Sequence, residues 1–190
     1  MNLRKTVRGF TLVELLVVIA IIAILAAVVV LIINPLELTR RGRDAARLTD
    51  LANLQQAINV AVQEATGSGT AQILCVGGLT GGACSGKSAD TGSRSSNGTG
   101  WVKVNLSSQN AVSVPTLPAD PTNSTVYHYT YCSDGNSWEI NTVLESEQQK
   151  GKMATDGGPT AVDNATDTTG RYEVGSALGL IAGTGGICNY

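Results

Sequence analysis

The sequence predicts an α+β protein: a long amino-terminal α-helix, its first half a transmembrane or filament-core segment, its amphipathic second half packed on a small carboxyl-terminal antiparallel β-sheet. Three observations predict it. Residues 10–33 form an apolar run of 24 residues with a single charge, Glu14. Beyond Pro35, Leu48, Leu51, Leu54, Ile58, Ala61, Val62 and Ala65 recur at spacings of three and four, the period of a one-sided helix. From Thr66 onward the composition turns to Gly, Ser, Thr and Asn interrupted by short β-forming stretches.

Taken in order, residues 1–9 are a short basic leader carrying Arg4, Lys5 and Arg8. Residues 10–34 are long enough to cross a bilayer, because about 20 helical residues span its hydrocarbon core. Glu14 is the residue to explain, since a carboxylate in hydrocarbon is costly and marks function by default. Pro35 removes a backbone donor and clashes with the preceding turn, which predicts a kink or unwound stretch near residues 33–36. Residues 35–66 continue as the amphipathic helix, with Arg47, Asp50, Gln55, Gln56 and Glu64 expected on the side away from the apolar stripe. A helix from residue 10 to residue 65 reaches about 84 Å, longer than a membrane is thick. Gly67 and Gly69 are suited to end it. Residues 67–190 form the sheet domain, with strands expected at 101–106, 125–132, 137–144 and 171–174. The stretch 133–136, Ser-Asp-Gly-Asn, gives the clearest hairpin turn.

The order Arg8-Gly9-Phe10-Thr11-Leu12-Val13-Glu14, followed by the Val/Ile/Ala/Leu tract, resembles the type IV pilin superfamily of pilins and pseudopilins. The resemblance implies cleavage by a prepilin peptidase between Gly9 and Phe10, N-methylation of Phe10, and Glu14 as the carboxylate that docks subunits. The chemistry agrees, because a new amino group on Phe10 and a neighbour's Glu14 can each compensate the other's burial. An ordinary secretory signal fits poorly: its apolar region is about 7 to 15 residues and its cleavage site follows that region. The resemblance further implies a single-pass precursor in the cytoplasmic membrane, amino terminus inside, and then a homo-oligomeric helical filament at the cell surface. An assembly platform in that membrane and an assembly ATPase would be its partners. Pseudopilins of type II secretion or DNA uptake share the same anchor. A membrane-anchored domain binding a surface ligand through residues 67–100 and 150–170 is the remaining alternative. Residues 117–121, Leu-Pro-Ala-Asp-Pro, with the tyrosine-rich stretch and Trp138 after them, also resemble the globular half of certain bacterial pilins.

Charge and cysteines narrow the functions further. The chain has 13 basic and 15 acidic residues; without Arg4, Lys5 and Arg8 the balance is 10 to 15, so no nucleic-acid partner is expected. The arginines at 40, 41, 43 and 47 read as a solvated turn facing lipid headgroups, partly paired with Glu37, Asp44 and Asp50, or as a bridge between subunits. They run against the positive-inside rule, so the resemblance rather than the charge count orients the helix. Cys75, Cys84, Cys132 and Cys188 all lie beyond the apolar run and imply two disulfides in an exported region. Three connectivities are open; Cys75–Cys84 with Cys132–Cys188 is preferred.

Chemistry beyond assembly finds few residues. Residues 81–88, Gly-Gly-Ala-Cys-Ser-Gly-Lys-Ser, spell a phosphate-binding loop but precede a Gly/Ser-rich stretch that cannot supply its helix. Asp156, Asp163 and Asp167, with Asn164, form an oxygen-rich loop of the kind calcium prefers, and the resemblance implies calcium there because pseudopilins can carry it in the corresponding region; no other cofactor is expected. The sequons at Asn97, Asn105, Asn123 and Asn164 leave surface glycosylation open. One histidine, His128, and no nucleophile elbow or paired acid/base spacing predict a protein that is not an enzyme.

Overall fold

The helix of the apolar run, α1 (Leu12–Ile32), ends where Ile33 turns extended, and a second helix, α2 (Pro35–Ser68), starts two residues later. Pro35 therefore occupies the first position of a new helix, where its missing N–H costs nothing, rather than kinking a continuous one. Asn34 caps it, its side-chain oxygen accepting the Glu37 N–H at 3.3 Å. The computed structural model describes residues 9–68, 73–90, 94–158, 170–181 and 188. The chain divides into two units, residues 1–39 and 40–190.

In the first unit, α1 has no buried residue among those described, and it is the one described helix long and apolar enough to cross a membrane. In the second, four antiparallel strands lie side by side in chain order: β1 (Cys84–Lys87), β2 (Thr130–Ser133), β3 (Trp138–Thr142) and β4 (Tyr172–Gly175). Thr130 pairs with Asn141 and Asn141 with Glu173, which fixes the register of the inner strands. The core lies between α2 and this sheet. Leu51, Leu54, Ala57, Ile58 and Ala61 from the helix meet Tyr129, Tyr131, Trp138, Ile140 and Val174. Alternation sends Cys132 to the opposite face, where it joins Ala83, Leu180 and Ile181 in a smaller apolar cluster. Disulfides connect Cys75 to Cys84 and Cys132 to Cys188.

The expected strand at 101–106 does not form. Its backbone bonds go to three separate segments instead: the Lys103 carbonyl accepts from Val76, Leu106 donates to Ser96, and the Leu106 carbonyl accepts from Val114. Trp101 and Val102 are adjacent and both buried, so the segment fills the core without a sheet's alternation. Likewise the 125–132 stretch pairs only from Thr130, because Ser124 and Tyr127 close a reverse turn through Ser124 N–H to the Tyr127 carbonyl. The unexpected strand is β1, inside the letters of the phosphate-loop pattern. Gly86 belongs there because a side chain would strike the Trp101 backbone.

Candidate functional site: the amino-terminal helix end and its buried counterpart

Thr11 and Glu14 build the start of α1. Thr11 is the N-cap, its hydroxyl oxygen accepting the Glu14 N–H at 3.2 Å. Glu14 reaches back, one carboxylate oxygen accepting from the Thr11 N–H at 2.9 Å and from the Thr11 hydroxyl at 2.8 Å. This reciprocal arrangement satisfies two orphan donors and sets a negative charge at the positive end of the helix dipole. The other Glu14 oxygen, Oε1, accepts no hydrogen bond from the described residues. Phe10 stands immediately before the cap and is 84% exposed. Gly9 precedes it in open space, with nothing within 4 Å of where a side chain would begin. A cut before Phe10 would thus create a charged amine beside a fully exposed carboxylate and an unpacked apolar helix.

The second charged site lies in the other unit, and it corrects two sequence expectations. Arg47 and Asp50 do not face away from the core: Arg47 is 0% exposed and Asp50 is half-buried. Arg47 pairs with Asp120 at 2.6 Å, Glu145 at 2.6 Å and Asp44 at 2.9 Å, beneath the Tyr127 ring 5.2 Å away. Burial opposes its charge, but the bonds to Asp120, Glu145 and Asp44 outweigh it, so the guanidinium pKa is raised further. Glu145 also accepts from Arg43 Nε at 2.9 Å; despite burial, these two arginines hold its carboxyl below the ordinary range. Asp44 accepts the Glu145 and Ser146 N–H groups at 3.0 and 2.7 Å, joining α2 to the chain after β3. Arg43 and Arg47 are therefore bonded within the unit, neither solvated nor free to bridge to another copy. The missed signal was spacing: residues 47, 51, 54 and 58 share one helical face.

Other candidates separate clearly. Asp156 is held at the sheet edge, its oxygens accepting the Gly158 N–H at 3.0 Å and the Glu173 N–H at 2.8 Å. Asp163, Asp167 and Asn164 lie outside the described residues, and among those described no three His, Cys, Asp or Glu side chains could hold a metal. His128 is buried, its Nδ1 3.1 Å from the Ser124 carbonyl oxygen, and burial lowers its pKa. Lys87 of the phosphate-loop letters ends strand β1, and Ser88 follows in a turn. The Ser88 hydroxyl accepts from Tyr129 N–H and donates to Asn123, an arrangement that leaves no phosphate cradle.

Residues 4–30 match the family described as the prokaryotic N-terminal methylation motif, the leader signature of type IV pilins and pseudopilins. No curated protein and no solved structure matches the chain. The motif, the apolar helix and the two disulfides fit a pilin-like or pseudopilin subunit made as a membrane-anchored precursor; the motif alone carries the implication of peptidase processing and filament assembly.

Proposed function

We propose that this chain is a structural, non-catalytic subunit of a type IV pilus or a closely related filament. It enters the cytoplasmic membrane through residues 10–34, loses residues 1–9 to a prepilin peptidase, and is methylated on the new Phe10 amine. It then leaves the membrane through an ATPase-driven assembly platform and polymerises at the cell surface. The observation that carries this reading is an apolar helix with every described side chain outside the core, interrupted only by Glu14 in its first turn and preceded by the methylation motif.

Extraction exchanges lipid contact for contact with other copies, so it needs no gain in hydrophobic burial; packing and polar pairing decide it. Glu14 is the polar term. Its Oε1 is open to a neighbour's Phe10 ammonium while Oε2 stays in the Thr11 cap, so docking costs no intramolecular bond. The same anchor suits a pseudopilin, in which case the polymer stays short and periplasmic.

The test is Glu14→Ala examined by electron microscopy of sheared surface material and by membrane fractionation. Insertion should be unchanged and filaments reduced to a small fraction or absent. Abundant normal filaments from that variant would overturn the docking role.

A further inference from the structure

Between α2 and the loops that follow β1 lies a cleft of about 280 Å³, lined by Asp50, Asn53, Arg94 and Thr116 with Leu54 and Val114 as apolar walls. Two of its polar groups are fixed by the fold yet left with bonding capacity. Arg94 Nε donates to the Leu117 carbonyl at 2.8 Å, which holds the guanidinium in place. Its two terminal nitrogens have no hydrogen-bond partner among the described residues. The Tyr129 hydroxyl donates to Asp50 Oδ2 at 2.8 Å, and Oδ1 is likewise without one. Asn53 and Thr116, each able to donate and accept, make no side-chain bond among the described residues. Asp50 and Arg94 form no ion pair with each other within 4 Å, so the cleft holds a carboxylate and a guanidinium that its own chain does not join.

We propose that this cleft binds one acidic sugar, a pyranose bearing a carboxylate, on the extracellular face of the assembled subunit. The planar end of Arg94 matches a carboxylate with two parallel bonds. Asp50, Asn53 and Thr116 together accept from and donate to several hydroxyls, more capacity than a single ammonium would use. Val114 and Pro118, both partly exposed, meet the C–H face of the ring. The volume admits one ring with its substituents and excludes a helix or strand. Only the extracellular setting is taken from the filament reading; the binding chemistry stands without polymerisation.

Calorimetric titration of the detergent-solubilised full-length protein with galacturonic acid, N-acetylneuraminic acid and galactose tests this directly. At least one acidic sugar should bind, with galactose weaker by about tenfold or more. Binding of galacturonate alone identifies a uronate polysaccharide as the source, and binding of neuraminate alone a sialylated one. Arg94→Gln should weaken the acidic sugar about tenfold or more. Asn53→Leu, on the exposed side of α2, should narrow the cleft, remove its amide partner and weaken binding about tenfold or more while leaving thermal unfolding unchanged. No binding by either acid, equal binding of galactose, preference for a zwitterionic amino acid such as glycine, or full binding by Asn53→Leu would overturn the proposal. Filaments from Glu14→Ala or their absence leave this readout untouched, so the two readings fail separately.

Discussion

Helices α1 and α2 follow one another in the chain and solve opposite problems. In α1 the apolar residues surround the whole circumference, and none of the described ones is buried. In α2 they form one stripe, and Leu51, Ala57, Ile58 and Ala61 are completely buried against the unit's own sheet. A helix apolar all round is complete only in lipid or among other helices, whereas a striped helix is complete on its own domain. Their charges differ in the same sense. Glu14 retains an open oxygen at an exposed end, while Arg47 is saturated by three carboxylates inside the fold. The contrast places the stability of the sheet unit on α2 and leaves α1, exposed along its described length, to the association proposed above.

The sharpest way to break that division is to place a charge in each helix. Ile58→Asp should unfold the second unit, a loss above about 4 kcal/mol for an unpaired buried charge, seen as loss of the cooperative thermal transition. Ile22→Arg, on α1, should leave that transition unchanged and reduce membrane insertion, because a central arginine costs about 2.5 to 3.5 kcal/mol there. If Ile22→Arg also lowered the thermal transition, the two helices would not be separable.

Arg47→Ala should cost about 3 to 5 kcal/mol in denaturant unfolding, since it leaves buried carboxylates uncompensated. Opening Cys132–Cys188 with the double serine variant should cost about 3 to 4 kcal/mol, reflecting a loop of 56 residues. Neither change should alter membrane insertion through α1.

A smaller effect concerns pH. Glu145 has a folded pKa below its ordinary value of 4.5, so the unfolded chain takes up its proton first as pH falls. Its stabilisation is present above pH 4.5 and is lost as pH drops through the depressed folded value. Glu139 has the opposite sign. Burial raises its pKa although the Gly179, Leu180 and Ile181 N–H groups hold it, so its contribution is largest in acid and falls as pH rises through the folded value. Stability measured from pH 7 to pH 3 should therefore fall less steeply in Glu145→Gln and more steeply in Glu139→Gln than in the parent.

The amino-terminal features were legible because they are local. A 24-residue apolar run, one carboxylate and a glycine before it need no tertiary information. The α+β class and the turn between β2 and β3 were legible for the same reason, with Asp134 accepting the Asn136 and Ser137 N–H groups and Gly135 at φ 90°. Strand β1 was hidden because Cys-Ser-Gly-Lys has little β preference and is held by β2 on one side and Trp101 against Gly86 on the other. Arg47 is not legible as a core residue because a guanidinium on a helix reads as a surface group, and the partners that allow its burial, Asp120 and Glu145, are 73 and 98 residues away in the chain. The cleft between Asp50 and Arg94 is a product of that same long-range packing, which no spacing in the sequence encodes.

In the proposed filament, α1 is buried by other copies of itself and Glu14 is paired to an adjacent copy's amine. A high-resolution electron-microscopy map of the native polymer measures this directly. The map should show chains beginning at Phe10, α1 surrounded by the α1 helices of other copies, and Glu14 within hydrogen-bonding distance of a neighbouring Phe10 nitrogen. Chains retaining residues 1–9, or Glu14 solvated and remote from every such nitrogen, would contradict it.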